Sequence, residues 1–210
     1  MTIDMKSTAR TRARYQRLAP IYDGMEATSE RRFQARRPRL WTLVRGPNIL
    51  EVGVGTGKNM PYYPQAMTIT AIDLTPGMLE RAQRRAQALH SDVDLRLGDV
   101  QALEFSANTF DTVVATCVFC SVPDPVLGLQ EVVRVVKPGG QVLLLEHVRS
   151  AKPLLGLLMD VLNPVVVRIM GANINRRTVE NVQRSGLQLE RVEDVGLGGI
   201  FKLIVARKVP

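Results

Sequence analysis

The stretch that most constrains the fold of this 210-residue chain covers residues 49–57 and reads ILEVGVGTG. Its apolar start predicts a buried strand. The glycines at Gly53, Gly55 and Gly57 predict a tight turn whose backbone lies close to a ligand, because no Cβ atom keeps the ligand away. The acid Glu51 favours a ligand with hydroxyl groups or positive charge, since a carboxylate beside a phosphate would repel it. We therefore expect a nucleoside cofactor that lacks a pyrophosphate.

Strands and helices alternate along the chain after this turn. Predicted strands cover 68–72, 93–97, 110–115 and 142–146, and predicted helices cover 76–89 and 124–136. The sequence KPGG at 137–140 is expected to close the second of these helices. Asn175 is predicted to cap a further helix that ends at Ser185, and strands at 187–195 and 201–207 follow it. This alternation predicts a mostly parallel sheet with helices on both faces.

Carboxylates follow the next two strands, at the edge of the sheet where open α/β folds bind their ligands. Asp73 is placed to accept both ribose hydroxyls of a nucleoside, and Asp99 to accept the adenine amino group. Leu74 and Val100 would form walls around the ring. Either acid alone is equally typical of a helix cap or a solvated turn, but their order along the chain is specific. S-adenosylmethionine fits this predicted site.

Two other nucleotide motifs match less well. A P-loop requires glycine at position 52, where this chain has Val52, and Ser or Thr at position 59, where it has Asn59. A dinucleotide-binding turn requires a third glycine at the position of Lys58. The P-loop interpretation therefore fails. The dinucleotide interpretation is weakened but stays open, because Asp73 would also suit NAD.

Positive charge is concentrated in the N-terminal segment, residues 1–45. The chain has a net charge of +8, and this segment holds eleven basic and four acidic residues. Its pattern predicts amphipathic helices over 5–19 and 29–44, with a turn at 21–24 after Pro20. Such a segment binds anionic lipid, nucleic acid or an acidic partner, or is a solvated face. Nucleic acid is the least favoured of these, because few aromatic residues are interleaved with the arginines.

A second apolar stretch covers residues 153–170. Asp160, Pro164 and Arg168 interrupt it, so we expect a helix that lies over the substrate side of the domain rather than one that crosses a membrane. The predicted organisation is thus a basic segment over 1–45 and a catalytic domain over 46–210. Residues 150–180 form a substrate-side helical insertion in that domain.

The two cysteines, Cys117 and Cys120, indicate a reducing cytoplasm rather than a secreted disulfide framework. They have the spacing of a redox motif but follow a predicted strand instead of opening a helix. Without further clustered cysteine or histidine ligands we expect no metal site. We interpret both residues as small apolar groups that line or support the cofactor pocket.

At this point the chain resembles a known family. The motifs at 51–57, 72–79, 98–99 and 135–140 are similar, in order, to those of class I S-adenosylmethionine-dependent methyltransferases. The sequence RLAPIYD at 17–23 resembles the N-terminal motif of quinone-biosynthesis C-methyltransferases and of bacterial phosphatidylethanolamine N-methyltransferases. Glu146-His147-Val148 is similar to a motif of lipid-associated eukaryotic methyltransferase-like proteins.

The resemblance implies a Rossmann-like fold with a seven-stranded sheet. The last strand is then antiparallel and inserted between its neighbours. Separately, we expect the N-terminal helices and the apolar segment 153–170 to fold over the cofactor edge and form a lid. Together, the residue patterns and the resemblance predict a set of cofactor-binding residues: Tyr22, Glu51, Gly53, Gly55, Asp73, Leu74, Met78, Asp99, Val100 and Thr116.

The candidate catalytic residues are Tyr22, His147 and Arg149. Methyl transfer from a sulfonium depends mainly on positioning the acceptor and excluding water. His147 follows the fifth strand, where it could help remove a proton from the acceptor, or simply hydrogen-bond a loop. Arg149 could bind a substrate phosphate, or form a surface ion pair. Arg176 and Arg177 raise the same possibility.

We therefore expect a cytoplasmic methyltransferase, peripheral on the inner membrane surface, that binds anionic lipid through its basic N-terminal helix. The preferred reaction is N-methylation of phosphatidylethanolamine towards phosphatidylcholine. The alternatives are C-methylation of a polyprenylated quinone precursor and methylation of a thiol or another small amphiphile. An alternative of a different class is a non-catalytic protein that binds the cofactor and docks on membranes.

Overall fold

The strands of the protein form one sheet, in a computed structural model that describes residues 3–27, residue 30 and residues 34–209. The sheet order is β3-β2-β1-β4-β5-β7-β6. Strands β1 to β5 pair in parallel, and β7 pairs antiparallel with β5 on one side and β6 on the other. The predicted seven-stranded sheet with its inserted antiparallel strand is confirmed. The strands are β1 Asn48–Val52, β2 Thr68–Asp73, β3 Asp94–Leu97, β4 Phe110–Thr116, β5 Val136–His147, β6 Gln188–Asp194 and β7 Phe201–Arg207.

Helices cover both faces of this sheet. The α-helices are α1 Met5–Leu18, α2 Tyr22–Met25, α3 Arg37–Trp41, α4 Pro76–Leu89, α5 Pro125–Val135, α6 Pro153–Met170 and α7 Thr178–Arg184. Short 3₁₀ turns lie at Ala19–Ile21, Met60–Tyr62 and Leu197–Gly199. Proline stands in the first turn of several helices, where its missing N–H has no partner to lose.

The centre of the sheet is buried on both faces, which explains why its strands read as continuous apolar runs. Along β5, Leu144 points into the cluster that contains Leu129 of α5. Leu143 and Leu145 point into the opposite cluster, which α3 covers with Trp41. Alternate residues of one strand thus serve two separate halves of the core.

The predicted helix over 29–44 is confirmed over Arg37–Trp41, but it is not continuous in the described residues. Ser29 and Phe33 lie outside the described residues, and residues 35–36 form a turn before α3 begins at Arg37. Pro38 explains the break, because proline fits the first turn of a helix, whereas an interior proline removes a backbone hydrogen bond and weakens the helix. The predicted turn at 21–24 is instead the end of a 3₁₀ turn followed by the one-turn helix α2.

Two C-terminal predictions also need correction. Asn175 does not cap α7, because Arg177 occupies that position and the Asn175 amide donates to Asp160 at 3.1 Å. The helix predicted over 124–136 does end before residues 137–140, but the fifth strand begins at Val136 and not at residue 142 as predicted. The register of the β4–β5 pair shifts at this start of the strand.

Helix α6 is the one described helix that is long and apolar enough to cross a membrane, with a mean hydropathy of 1.6 and only 11% of its 18 residues buried. Its inner side is fastened to the domain. Met159 is buried, and its sulfur accepts the N–H of Ser150 at 3.3 Å. Asp160 binds the Arg149 guanidinium at 2.8 Å. The helix therefore lies along the domain, with Pro164 inside it.

We expect Leu144→Ala to lower the free energy of unfolding by about 2–5 kcal/mol, because it leaves a cavity in a fully buried cluster. Urea unfolding followed by circular dichroism measures this. The matched control is Leu97→Ala on β3, where the side chain is 50% exposed and the expected loss is about 1 kcal/mol or less. Equal losses for the two variants would contradict the assignment of Leu144 to the core.

Candidate active site

A cavity lies at the carboxyl ends of β1, β2 and β4, beneath the N-terminal helices. It encloses about 740 Å³ of space, counted together with its mouth, which opens to solvent. The sequence-predicted residues that line it are Tyr22, Gly53, Gly55, Asp73, Leu74, Met78, Asp99, Val100 and Thr116. The structure therefore brings together nine of the ten residues predicted to bind the cofactor. Their contact with it remains a prediction.

The glycine turn after β1 adopts a backbone that other residues rarely take. Gly53, Gly55 and Gly57 have φ values of 67°, 56° and 80°. A Cβ atom on Gly53 would lie 2.4 Å from a methyl group of Val118, so this glycine allows the wall of the cavity to close on the turn. A Cβ atom on Gly55 would meet no protein atom within 4 Å. The backbone of Gly55 is thus open to a ligand.

Asp73 is fixed at the end of β2 by backbone donors from two loops. One carboxylate oxygen accepts the N–H of Gly55 at 2.9 Å, and the other accepts the N–H of Thr75 at 2.9 Å. Burial raises the pKa of Asp73, and these two N–H groups partly offset that effect. Each oxygen keeps a second lone pair, so the carboxylate can still accept two hydroxyl groups of a ribose.

Asp99 is held in a similar way, on the other side of the cavity. It accepts the backbone N–H of Gln101 at 2.9 Å and bonds from the Gln101 amide at 3.1 and 3.2 Å. The same amide donates to Thr8 of α1 at 3.1 Å, which ties the N-terminal helix to this acid. Met78 and Val100 supply buried apolar walls. The arrangement suits a flat ring with a donor at its edge.

Glu51 does not face the cavity, which corrects its predicted role as a cofactor contact. It is 1% exposed, and its carboxylate accepts bonds from the Asn59 amide at 2.6 Å and from the Tyr63 hydroxyl. Asn59 also donates to Thr116 at 3.1 Å, so Glu51 positions a cavity residue indirectly. Burial raises the pKa of Glu51, against the effect of its two donors. The acid stabilises the loop after β1 instead of facing a ligand.

We call the segment 3–27 the N-terminal lid. Asp23 binds this lid to the glycine turn and to the helix α4. This acid accepts the Thr56 hydroxyl at 2.7 Å and pairs with Arg81 at 3.0 Å and Arg85 at 3.3 Å. Burial acts to raise its pKa, but the bonds from Thr56 and Arg81 hold the pKa below its ordinary value. The lid therefore depends on a negatively charged Asp23.

Sequence reasoning missed several residues of this cavity. Tyr15 of α1 lines it, and its hydroxyl lies 2.5 Å from that of Ser121. Its ring lies 6.3 Å from that of Tyr22. Thr11 lines the cavity from the same helix. The only signal for them in the sequence is that α1 directly precedes the RLAPIYD motif. Cys117 was expected to line or support the pocket, and it lines the cavity.

His147 and Arg149, predicted as catalytic, lie away from the cavity. The His147 ring packs edge-on against Phe201 with centroids 5.1 Å apart, and burial lowers its pKa to about 4. The Arg149 guanidinium is occupied by both carboxylate oxygens of Asp160. His147 is the last residue of β5 and Arg149 follows that strand, but the His147 side chain packs on β7 and the Arg149 side chain binds α6. Of the three candidate catalytic residues, only Tyr22 is at the cavity.

Comparison with known sequences gives a consistent result. Residues 50–144 match the family model described as a methyltransferase domain. The chain is 39% identical to a phosphatidylethanolamine N-methyltransferase of Cereibacter sphaeroides, over 53% of this chain and 56% of that protein. It is 34% identical to a demethylmenaquinone methyltransferase of Renibacterium salmoninarum, over 63% of this chain and 54% of that protein. It thus spans just over half the length of these two relatives.

A third relative is matched over more of its length. The chain is 30% identical to the thiol S-methyltransferase TMT1B of Rattus norvegicus, over 79% of this chain and 74% of that protein. Among solved structures, a methyltransferase of Thermotoga maritima described as a possible histamine N-methyltransferase has a TM-score of 0.73 at 19% identity, covering 94% and 99% of the two chains. A geranyl diphosphate methyltransferase in complex with sinefungin has a TM-score of 0.68 at 18% identity, covering 84% and 78%. These structures share the fold.

We expect Asp73→Ala to weaken binding of S-adenosylmethionine by about 100-fold, because it removes the charged acceptor predicted for the ribose hydroxyls. Isothermal titration calorimetry measures the affinity, and thermal unfolding checks that the variant folds. The control is Asp94→Ala, which removes an exposed acid of β3 that pairs with Arg96. Unchanged affinity in folded Asp73→Ala protein would refute the ribose assignment.

Proposed function

The chain belongs to the class I S-adenosylmethionine-dependent methyltransferases, and from that membership we propose that it methylates the amine of a membrane phospholipid, with phosphatidylethanolamine as the first candidate. S-adenosylmethionine is the cofactor of this family. The observation that carries the choice of acceptor is an exposed apolar surface on α6, next to the lid of the cofactor cavity. The relative in Cereibacter sphaeroides supports the same choice.

The outer side of α6, which we call the α6 face, is apolar except for the exposed Arg168 in its last turn. Its side chains are 45% to 85% exposed: Leu154, Leu157, Leu158, Val161, Leu162, Val165 and Ile169. A soluble domain gains nothing by exposing such a row, and extended apolar patches mark interaction surfaces. Since the inner side of α6 is tied to the domain, the helix is suited to lie in the plane of a membrane surface.

The α6 face and the basic lid helix meet at one point. Gly171, which ends α6, packs so closely on α1 that a Cβ atom there would lie 2.7 Å from the side chain of Arg14 and 3.5 Å from the ring of Tyr15. Tyr15 also lines the cavity. Arginines near an anionic leaflet contribute about 1 kcal/mol each. We therefore propose peripheral binding at the cytoplasmic membrane surface, with the cavity mouth beside the lipid.

The aromatic side of the cavity favours an amine. Tyr15 and Tyr22 present tilted rings there, and the Lys58 ammonium already stands 5.4 Å from the centroid of the Tyr22 ring. Ring faces of this kind attract ammonium and sulfonium groups. Burial raises the pKa of both tyrosines, so their phenols stay protonated and neutral at physiological pH. They can orient an amine without acting as its base.

The transfer itself then needs little from the protein. The amine nitrogen attacks the methyl carbon of the sulfonium, the carbon–sulfur bond breaks, and S-adenosylhomocysteine leaves. Burial next to a positively charged sulfonium lowers the pKa of the amine, which favours the neutral, nucleophilic form. The described residues of the cavity supply alignment and exclude water, and these account for most of the rate in such a reaction.

A thiol of an amphiphile is the second candidate acceptor, because the relative TMT1B is matched over the largest share of both chains among the three relatives compared. C-methylation of a quinone precursor is supported by the demethylmenaquinone methyltransferase relative. A non-catalytic protein that binds the cofactor and docks on membranes is the alternative of another class. The same exposed α6 face is compatible with each of these.

The acceptor is tested by incubating the protein with methyl-labelled S-adenosylmethionine and vesicles that contain phosphatidylethanolamine, demethylmenaquinone or a hydrophobic thiol. We expect label in N-methylated phosphatidylethanolamine by mass spectrometry. The Asp73→Ala variant provides the inactive control. Label in the quinone or the thioether instead would overturn the choice of acceptor, and no labelled lipid in any arm would favour a soluble acceptor or the binding protein.

Docking is tested with Leu157→Ser/Val161→Ser, two changes at the centre of the α6 face. We expect the double variant to bind anionic vesicles at least about tenfold more weakly than the wild type, because it removes two side chains that would enter the lipid. Vesicle co-sedimentation measures this. Val192→Ser, an exposed position on β6, is the matched control. Equal vesicle binding by all three proteins would exclude the α6 face as the membrane contact.

A further inference from the structure

One segment of the cavity wall is held in an unusual way. Residues 117–122, which we call the β4 loop, follow β4 and supply Cys117, Val118, Ser121 and Val122 to the cavity. The loop begins in a left-handed conformation, with φ of 55° at Cys117, which side chains other than glycine rarely adopt. Such a conformation persists only where the surroundings impose it.

Glu146 binds the N–H groups at the start of this loop. The residue lies in β5, is 0% exposed, and one of its carboxylate oxygens accepts the N–H of Val118 at 2.8 Å and that of Phe119 at 3.2 Å. Its second oxygen is buried and has no hydrogen-bond partner in the described structure. The site would suit a hydrophobic residue for stability alone, because a buried charge with half its capacity unused is costly.

Arg176 binds the carbonyl groups at the end of the same loop. Its guanidinium donates to the oxygen of Val122 at 2.9 Å and to that of Cys120 at 3.3 Å. The Cys120 oxygen also accepts the backbone N–H of Asn173 at 2.9 Å and its side-chain amide at 3.0 Å. An anion therefore holds the donors of the loop, and a cation holds its acceptors.

We propose that Glu146 and Arg176 are positioning residues of the methyl transfer, which set the β4 loop against the glycine turn and thereby shape the wall of the cofactor cavity. The contact they impose is that of Val118 on Gly53, where no Cβ atom could fit. Neither side chain lines the cofactor cavity, so they act through the loop. The role concerns the cofactor cavity and does not depend on which acceptor is methylated.

This role has a pH signature. Burial raises the pKa of Glu146 to about 7, and the loop N–H groups and Arg176 oppose that shift. The other titratable groups around Glu146 that are named below do not change protonation state between pH 6 and 8. Burial raises the pKa of Cys117 well above its ordinary value and that of Cys120 to about 12, and it lowers the pKa of His147 to about 4. Burial lowers the pKa of Arg176, but its ordinary value is so high that the guanidinium stays cationic.

As pH rises and Glu146 loses its proton, the stability of the fold and the affinity for the cofactor should change in opposite directions. Because the folded-state pKa of Glu146 lies above the ordinary 4.5, its contribution to stability is present at low pH and is lost as pH rises through about 7. The charged form is instead the stronger acceptor for the loop N–H groups. Cofactor binding should therefore improve as pH rises, over the same range in which stability declines.

The test is Glu146→Gln, with S-adenosylhomocysteine binding measured by calorimetry from pH 6 to 8 and Tm measured in parallel. We expect about tenfold weaker binding at pH 8, no dependence of affinity on pH, and a Tm at pH 8 that is not lower than that of the wild type. Arg176→Lys keeps the charge but loses the planar group that serves two carbonyls, so it should weaken binding and retain the pH dependence. Glu190→Gln is the control, because Glu190 is an acid of β6 that pairs with Arg207 and does not line the cavity.

Wild-type affinity and pH dependence in Glu146→Gln would overturn the proposal. So would a loss of affinity in either variant that is matched by a fall in Tm, since that result indicates a merely structural role. If Glu146→Gln does not fold, Arg176→Lys alone decides between these outcomes. The measurement uses no methyl acceptor, so a wrong choice of acceptor under the proposed function would leave its result unaffected.

Discussion

Buried carboxylates at the ends of parallel strands are the interaction on which the cofactor cavity depends. Each of them accepts donors from a loop that would otherwise be free to move. Glu51 binds Asn59 and Tyr63 after β1, Asp73 binds Gly55 and Thr75 around the glycine turn, and Glu146 binds the β4 loop from β5. Parallel strands end at one edge of the sheet, so these acids gather there and shape the cavity. The cost of burying them is offset by backbone donors at Asp73 and Glu146 and by side-chain donors at Glu51, which fix the geometry at the same time.

The sequence predicted this cavity well because its signals are local. Strand periodicity, the three glycines and the order of Asp73 and Asp99 are enough to place nine predicted residues around one cavity. The same reasoning failed where side-chain direction depends on distant packing. Glu51 was expected at the ligand because it precedes the glycines, but its side chain turns to Asn59 and Tyr63. His147 was expected just after the fifth strand, but it is the last residue of β5 and packs on Phe201 of β7, a strand that pairs with β5 only in the folded sheet.

Two segments that lie far apart in the sequence, α1 and the end of α6, meet at the substrate side. Gly171 at the end of α6 packs on Arg14 and Tyr15 of α1, while Ser121 of the β4 loop lies 2.5 Å from the Tyr15 hydroxyl. The basic lid, the apolar α6 face and the cavity wall are therefore neighbours. This proximity is the physical basis for proposing a lipid acceptor, since one surface can hold the membrane while the lid covers the cofactor.

Hydrogen–deuterium exchange of the full chain, with and without S-adenosylhomocysteine, tests the central claim most directly. If strand-end carboxylates hold the loops around the cofactor, the ligand should slow exchange together in peptides covering residues 53–57, 73–78, 98–101 and 116–122. Peptides of α6 should be unchanged, because their inner side is fastened independently of the cofactor through Asp160. Protection confined to one of these loops, or none at all in the presence of bound ligand, would contradict the account.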